Sequence, residues 1–294
     1  MLIARLIADQ ASLETRLDAF SVALAGEGMR LAEAQMLEFC SDVLELELPE
    51  GDPRRLGALI EAHFAPVDWL VSDDDIRVPQ LFVSDMDSTM IGQECIDELA
   101  DFAGIKTEIA AITERAMQGE LDFEAALRER VGLLRDLSEG AITECLDTRI
   151  VPMEGARVLV QTLKHHGCKT VLVTGGFHQF ADPVAEQLGF GRVVANRLAI
   201  EGGVLTGNLV GGITDSSVKK AVLLEEAGLL GENAVTLATG DGANDIPMLE
   251  AATYGIAYRG KPKAREAANG SIERGDLRTI LKLLGIQESE WVAG

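Results

Sequence analysis

Two aspartates, Asp85 and Asp87, come shortly after an apolar run at residues 81–83, with Ser84 between the run and Asp85. They belong to the string DMDST, and paired carboxylates at a strand end can divide two tasks, since one can attack an electrophile while the other carries a proton. The string alone is weak, because a polar turn in which Asp87 or Ser88 caps the next helix uses the same residue types. Its place after a strand marks Asp85 and Asp87 as candidate catalytic residues.

A second acidic group follows another apolar run, in the string GDGAND at 240–245. Its glycines permit a sharp backbone turn close to a ligand, and Asp241 and Asp245 add two carboxylates. If the two strand ends are neighbours, Asp85, Asp87 and Asp241 converge. Clustered carboxylates need a cation between them, and oxygen ligands suit Mg²⁺. An ordinary turn with Asp245 as a helix N-cap is the alternative that this string leaves open.

A third loop and a later lysine could hold a phosphate. The string VTGGF at 173–177 offers the hydroxyl of Thr174 and backbone N–H groups at a helix start. Lys219 and Lys220 open a helix, where the dipole disfavours cations, so a nearby anion would explain at least one of them. A plain turn and a solvated lysine are the alternatives.

Strands alternating with helices are predicted to position these loops. A strand at 79–84 precedes a stretch that is helical throughout from 93 to 149, and alternation follows from 153 to 284. This pattern predicts an α/β fold with a mostly parallel sheet, covered on both faces, whose ligands sit beyond the carboxyl ends of the strands. Within it, residues 193–199 and 204–210 are predicted to pair as a hairpin.

The first 78 residues are predicted to form a separate unit, as a length of 294 residues favours about two domains. Strands at 2–8, 30–39, 43–48 and 67–72, with helices at 11–24 and 54–64, give the order βαββαβ of a small ferredoxin-like α+β domain. The acidic run 73–75 that follows fits a solvated linker better than a metal site.

Composition limits the classes of function. With 48 acidic and 26 basic residues, the formal net charge is −22, which disfavours nucleic acid and anionic lipid as partners but not a small phosphate ester. The four separated cysteines fit reduced thiols better than disulfides or zinc. The sequence shows no signal peptide and no apolar run of about 18 residues. A cytoplasmic protein is therefore expected.

Together the motifs are far more specific than each alone. The order DxDxT, TGG, Lys and GDGxxD resembles the haloacid dehalogenase (HAD) superfamily of phosphotransferases. Within it, the strings DMDSTMIGQECIDELA, FEAALRERVGLL, VTGGF and GDGANDIPML resemble the phosphoserine phosphatase family. The resemblance covers about residues 79–284. It implies a HAD-like Rossmannoid core at 79–294, a helical cap insert at about 93–150, and an ACT-like N-terminal domain at 1–78.

The resemblance also implies catalytic roles. Asp85 would be the nucleophile that forms an aspartyl-phosphate, and Asp87 would protonate the leaving oxygen and then deprotonate the attacking water. Mg²⁺ would be held by Asp85, the backbone carbonyl of Asp87, and Asp241. Asp245 would support this group from near the metal.

Substrate contacts are implied on both sides of the site. In the core, the phosphoryl oxygens would meet Thr174, the Gly175 backbone and Lys219, and Asn244 would contact the phosphate or the water. In the cap, Glu94 would pair with the substrate ammonium, Arg130 with its carboxylate, and Met117 and Phe123 would line the pocket. The family usually has Ser where this chain has Thr174, and the hydroxyl is retained.

The implied activity is Mg²⁺-dependent hydrolysis of O-phospho-L-serine to L-serine and phosphate, the last step of serine biosynthesis. One alternative keeps the chemistry on another small phosphate ester, which would leave Glu94 and Arg130 unpaired. Another is a serine-sensing regulatory protein with a degenerate phosphatase domain, which the intact acidic motifs oppose. A small α+β extension of this kind often pairs with itself, so a homodimer is also expected.

Overall fold

The computed structural model describes residues 1–37, 40–118 and 120–293, without the side chains of Ser41 and Met117. One ten-stranded sheet crosses the described residues in the order β2-β3-β1-β4-β12-β11-β10-β5-β6-β7, and a separate pair joins β8 to β9. The strands are β1 (Leu2–Ile7), β2 (Glu33–Leu37), β3 (Cys40–Leu48), β4 (Asp68–Ser72), β5 (Leu81–Ser84), β6 (Lys169–Phe177), β7 (Arg192–Asn196), β8 (Leu198–Glu201), β9 (Val204–Leu209), β10 (Thr236–Gly240), β11 (Tyr254–Tyr258) and β12 (Gly270–Ile272).

Some of the helices begin at polar side-chain caps that the sequence supplies. Asp52 accepts the backbone N–H of Arg55 at 2.9 Å, and Pro53 fills the first helical position, where no N–H is needed. The α-helices are α1 (Leu13–Gly26), α2 (Pro53–Phe64), α3 (Cys95–Phe102), α4 (Lys106–Met117), α5 (Phe123–Leu133), α6 (Glu139–Arg149), α7 (Ala156–His165), α8 (His178–Leu188), α9 (Ser216–Leu230), α10 (Ile246–Ala251), α11 (Pro262–Ala267) and α12 (Arg278–Leu283). In the described part of the chain, none of them has both the length and the apolar character that crossing a bilayer requires.

The N-terminal residues follow the predicted βαββαβ order. Strands β2, β3, β1 and β4 pair antiparallel in that spatial order, with α1 and α2 against the sheet. Phe20 of α1 meets Phe64 of α2 edge-to-face at 5.2 Å between ring centroids. The members of this hydrophobic cluster all lie between residues 2 and 71.

The remaining main-sheet strands form the parallel part of the sheet, as predicted. Strand β5 lies between β10 and β6, and all three run in the same direction. The residues of β5 and β10 are buried throughout, which is consistent with the absence of charged side chains in both strands. Because Ser84 pairs with Thr239, the loops that begin at Asp85 and Asp241 leave the sheet side by side.

The two parts of the chain share this sheet. Strand β4 pairs antiparallel with β12, matching Leu70 to Gly270 and Trp69 to Ser271. Buried Asp68 accepts the backbone N–H groups of residues 273, 274 and 275 at 2.7 to 3.0 Å. The boundary at residue 78 stays a prediction, and any separation there would break a pairing within a continuous sheet.

Two sequence predictions need correction. Residues 193–199 do not form one strand that pairs with 204–210, because they belong to two strands. Strand β7 joins the main sheet, and only β8 pairs with β9. Asn196 ends β7, since its side chain is held by the Gly175 carbonyl and the Thr214 N–H, both at 2.8 Å. The predicted strand 30–39 is shorter, at Glu33–Leu37, and residues 38 and 39 lie outside the described residues.

Candidate active site

The floor of the candidate site is built at the end of β5. The backbone N–H of Asp85 donates to the Thr239 carbonyl at 2.9 Å, and the Ser84 and Thr239 hydroxyls lie 2.8 Å apart. These contacts extend the pairing of β5 and β10 up to the first aspartate. Oδ1 of Asp85 then accepts the Met86 N–H at 2.8 Å, so its carboxylate is fixed at the strand end and is only 4% exposed.

A buried lysine joins two of the candidate carboxylates. Nζ of Lys219 lies 2.8 Å from Oδ1 of Asp85 and 2.7 Å from Oδ1 of Asp245, and the lysine is 1% exposed. Burial lowers the pKa of Lys219, but the two carboxylates outweigh it and raise the pKa above its usual range. The two carboxylates thus favour the charged form of Lys219, whereas the Lys220 side chain is exposed to solvent.

The GDGAND loop places a carboxylate under the backbone. Oδ2 of Asp245 accepts the N–H groups of Asp241 and Gly242 at 3.1 and 3.0 Å. A Cβ on Gly240 would lie 2.3 Å from Cγ of Asp245, so only glycine permits this closeness. Both oxygens of Asp245 are thus engaged, one by the loop and one by Lys219.

An acidic group of metal-binding type lies at these strand ends. Oxygen atoms of Asp85, Asp241 and Asp245 fall within 4.8 Å of one another, and all three residues are buried. Burial, followed by the charge of Asp245, raises the pKa of Asp85 well above its usual range, although Lys219 opposes the shift. A cation among these oxygens would relieve that repulsion, so the donor set fits Mg²⁺.

The second aspartate occupies a different environment. Burial and the nearby Glu94 raise the pKa of Asp87 to about 7. Oδ1 of Asp87 accepts the first backbone N–H of α3, from Cys95, at 3.4 Å. A carboxyl with a pKa near neutrality can both give and take a proton at physiological pH.

A cavity of about 210 Å³ lies above these groups. Residues of the parallel strand ends and of the helical segment between β5 and β6 line it: Asp85, Asp87, Glu94, Ile96, Phe123, Leu127, Arg130, Thr174, Gly175, Gly176, Phe177, Asp241, Asn244 and Lys261. Every predicted site residue lines this cavity except Lys219 and Asp245, which lie beneath it, and Met117, whose side chain lies outside the described residues. The fold therefore gathers residues from five separated sequence segments.

The side of the cavity formed by the helical segment between β5 and β6 carries both signs of charge. Glu94 accepts the Ser88 hydroxyl at 2.9 Å, and desolvation by the surrounding walls raises its pKa, although the side chain still reaches solvent. Arg130 is half-buried on α5, where burial lowers its pKa and its Nε donates to the Ala126 carbonyl at 3.3 Å. Phe123, at the start of α5, reaches the core beside Gly175.

Thr174, Gly175 and Gly176 lie in the last part of β6, where its pairing with β7 is irregular between Val173 and Phe177. Oγ1 of Thr174 accepts the Gly176 N–H at 2.9 Å, and Thr174 is almost fully buried. A Cβ on Gly175 would come within 3.3 Å of the Phe123 ring, so glycine keeps the cap and core in contact. The Gly175 carbonyl is held by Asn196, which fixes the loop from the neighbouring strand.

Sequence reasoning missed Lys261, Gly176, Phe177, Ile96 and Leu127 among the cavity-lining residues. Lys261 is the charged one, with Nζ 3.1 Å from Oδ2 of Asp241 and its N–H donating to the Asp241 carbonyl at 2.8 Å. It stands in the string GKP after the apolar strand β11. That position, another strand end of the parallel sheet, is the signal that could have found it.

The haloacid dehalogenase-like hydrolase family model matches residues 82–250. This chain belongs to the haloacid dehalogenase-like hydrolases. It is a hydrolase, and the matched range contains the strand ends that carry Asp85, Thr174 and Asp241.

Named relatives extend this assignment. Phosphoserine phosphatase of Albidiferax ferrireducens is 45% identical over 210 residues, covering 69% of this chain and 89% of its own. A solved HAD family hydrolase of Salmonella enterica serovar Typhi has a TM-score of 0.83 at 29% identity, covering 97% of this chain and 99% of its own. A probable phosphoserine phosphatase of Vibrio cholerae has a TM-score of 0.76 at 31% identity, covering 98% and 88%. Both structures match the N-terminal residues as well as the catalytic part.

Proposed function

We propose that this chain hydrolyses O-phospho-L-serine to L-serine and inorganic phosphate through an aspartyl-phosphate on Asp85. One observation carries the proposal. A single cavity is lined by Asp85 and Asp87 from the core and by the opposite charges Glu94 and Arg130 on the cap side. A phosphate ester with an amino-acid head supplies a partner for each of these groups. The relatives named as phosphoserine phosphatases support this substrate.

In the first step, a carboxylate oxygen of Asp85 attacks phosphorus and the bond from phosphorus to the serine oxygen breaks. Asp87 gives its proton to that oxygen as L-serine leaves, which its pKa of about 7 permits. Lys219 lies beside the attacking carboxylate, offsets its charge and fixes its direction. The phosphoryl group is then covalently attached to Asp85.

In the second step, the ionised Asp87 takes a proton from a water molecule whose oxygen attacks the phosphorus. The bond from phosphorus to Asp85 breaks, phosphate leaves, and Asp85 is again a carboxylate. Thr174, the Gly175 N–H and Asn244 are the proposed contacts for the phosphoryl oxygens and the water. Closing the cap against Gly175 through Phe123 would exclude other water from the intermediate.

Mg²⁺ is part of the proposal. The residues that would hold it are Asp85, the backbone carbonyl of Asp87, and Asp241, with Asp245 fixing the loop of Asp241. When bound, the ion neutralises charge on the phosphoryl oxygens and on the carboxylates. Chelation with EDTA should stop phosphate release, and added Mg²⁺ should restore it.

Recognition of the serine head is assigned to the cap side. Arg130 presents a planar fork that suits the substrate carboxylate, and Glu94 offers a partner for the ammonium. The deciding experiment measures phosphate release from L-phosphoserine beside phosphothreonine, phosphoethanolamine and p-nitrophenyl phosphate. A strong preference for L-phosphoserine is expected. Phosphate release from p-nitrophenyl phosphate alone would support phosphatase activity and contradict L-phosphoserine as the substrate.

The cytoplasmic location and the homodimer remain predictions from the sequence. Light scattering of the purified protein, with and without L-serine, would measure the number of chains in the particle. A single chain under both conditions would contradict the homodimer.

A further inference from the structure

Asn196, the last residue of β7, has no part in the mechanism above. Its side chain is almost fully buried and joins two backbone groups that are distant in the sequence. Nδ2 donates to the Gly175 carbonyl and Oδ1 accepts the Thr214 N–H, both at 2.8 Å. Because one neighbour is an acceptor and the other a donor, the two together fix the direction of the amide. The donor end of Asn196 therefore lies against Gly175, which lines the cavity.

The peptide unit between Gly175 and Gly176 is held at both ends by side chains. Its carbonyl accepts from Asn196, and its N–H donates to Oγ1 of Thr174 at 2.9 Å. The pairing of β6 with β7 is irregular over this stretch, so a regular strand ladder does not fix the peptide. Asn196 and Thr174 are thus connected through a single peptide plane.

That peptide controls what the Thr174 hydroxyl can do. Oγ1 accepts the Gly176 N–H, and among the described residues the hydroxyl donates to no protein atom. Thr174 lines the cavity, so its hydrogen is available to a phosphoryl oxygen there. Rotation of the peptide would take the N–H away from Oγ1 and would leave the hydroxyl without the contact that directs it.

We propose that Asn196 is a positioning residue, which holds the peptide between Gly175 and Gly176 so that the Thr174 hydroxyl donates to the phosphoryl group. The inference rests on the proposed function, in which Thr174 contacts the phosphoryl oxygens. The described lining of the cavity does not include Asn196, so its effect must pass through Thr174. Loss of Asn196 should therefore matter only while the Thr174 hydroxyl is present.

Two substitutions separate the loss of the donor from the loss of volume. Asn196→Ala removes both hydrogen bonds. Asn196→Asp keeps the shape and the acceptor for the Thr214 N–H, but it places an oxygen against the Gly175 carbonyl, where two acceptors repel each other. With Mg²⁺ present, kcat/KM for p-nitrophenyl phosphate should fall about tenfold in both variants, near the lower end of what a hydrogen bond to a charged group contributes. This ester has no amino or carboxylate group, so recognition of the serine head does not enter the comparison.

A double-mutant cycle with Thr174→Val is the deciding measurement. Valine keeps the shape of threonine and removes the hydroxyl. In the Thr174→Val background, Asn196→Ala should lower kcat/KM by less than about twofold, because residues that act through one another are not additive. A residue that only stabilises the fold would give the same loss in both backgrounds. Equal losses in the two backgrounds, or no loss in Asn196→Ala or in Asn196→Asp, would overturn the proposal.

Asn269 provides the matched control. Its side chain makes the same kind of bridge, since Oδ1 accepts the Gly255 N–H at 2.6 Å and Nδ2 donates to the Thr253 carbonyl at 2.8 Å. This bridge lies at the amino-terminal end of β11, whereas the site lies at the carboxyl ends of the parallel strands. Asn269→Ala should lower the melting temperature and change kcat/KM by less than about twofold. A tenfold loss in this control would show that weakening of the sheet, and not the contact with Gly175, causes the effect.

Thr174→Val alone separates this proposal from the one on which it rests. If Thr174→Val keeps full activity, the hydroxyl is not a phosphoryl contact, and the role of Thr174 and the inference about Asn196 both fail. If Thr174→Val loses activity and the Asn196 variants do not, only the inference about Asn196 fails. If the unmodified protein releases phosphate from p-nitrophenyl phosphate but not from L-phosphoserine, the proposed substrate fails and the cycle still tests Asn196.

Discussion

Nζ of Lys219 lies 2.8 Å from Oδ1 of Asp85, and both side chains are buried. The contact joins the start of α9 to the end of β5, two elements that are far apart in the sequence. It gives the proposed nucleophile a fixed direction and a counter-charge that solvent does not screen. The same ammonium also holds Asp245, so a single cation connects the nucleophile to the loop of Asp241.

Replacement of Lys219 should damage both stability and activity. Lys219→Met leaves Asp85 and Asp245 buried without a cation, and breaking a buried pair in this way costs about 3–5 kcal/mol. The folded-state pKa of Asp85 is already raised by burial and would rise further, so the variant should lose stability as pH increases. Urea unfolding at about pH 5 and about pH 8 measures how the free energy of unfolding of the variant depends on pH.

Lys220→Met is the matched control, because that side chain is exposed on the same helix. Its free energy of unfolding should change by less than about 0.5 kcal/mol, and its activity should be retained. Similar losses in the two variants would show that the damage comes from α9 rather than from the buried contact.

Asp85→Asn should abolish turnover while the fold is kept. The amide is not a competent nucleophile, so the rate of phosphate release should fall by about 10⁴-fold or more. The substitution also removes a buried charge beside Asp245, so the melting temperature should not decrease. Phosphate release and thermal unfolding of the same sample measure both effects, and normal turnover would remove the covalent mechanism.

Arg130→Ala should affect the natural substrate selectively. Loss of a charge-assisted hydrogen bond, worth about 1.5–3 kcal/mol, should lower kcat/KM for L-phosphoserine about tenfold to a hundredfold. The effect on p-nitrophenyl phosphate, which has no carboxylate, should be small. Arg128→Ala on the same helix is the control, since Arg128 is exposed and paired with Glu124. Equal losses on both esters would mean that Arg130 has a structural role.

The pH dependence should reflect the raised pKa of Asp87. The first step needs the protonated acid, so kcat/KM for L-phosphoserine should fall as pH rises through about 7. The profile for p-nitrophenyl phosphate should be flatter over that range, because its leaving group departs without a proton. Asp87→Asn should remove this fall of kcat/KM with pH. If the fall persists in the variant, it is caused by another titrating group.

Asp68→Ala should weaken the junction between β4 and β12. It leaves the N–H groups of residues 273, 274 and 275 without their acceptor, at a cost of about 2–4 kcal/mol in the free energy of unfolding. Asp42→Ala is the comparison, because Asp42 pairs with Lys282 at a more exposed position and should contribute about 1 kcal/mol or less. Urea unfolding measures both variants, and equal losses in their free energies of unfolding would contradict the prediction.

The parallel sheet and the positions of the main motifs at its strand ends were predictable from local sequence pattern. Asp85, Thr174 and Asp241 each follow an apolar run, and parallel strands bring such ends to one edge. The βαββαβ order of the first 72 residues was also predictable from the sequence, because the spacing of apolar residues indicates each helix or strand and turn residues separate them. These features are local, and local pattern was sufficient.

Other features could not be predicted in this way, because long-range strand pairing and side-chain direction depend on packing between distant segments. The pairing of β4 with β12 joins the two parts of the chain, and no local pattern marked the short strand β12. Strand β7 ends at Asn196, whose side chain is hydrogen-bonded to the Gly175 carbonyl and the Thr214 N–H. Both partners are distant from Asn196 in the sequence. The placement of Lys261 over Asp241 and of Cys95 behind Asp87 likewise required the folded chain.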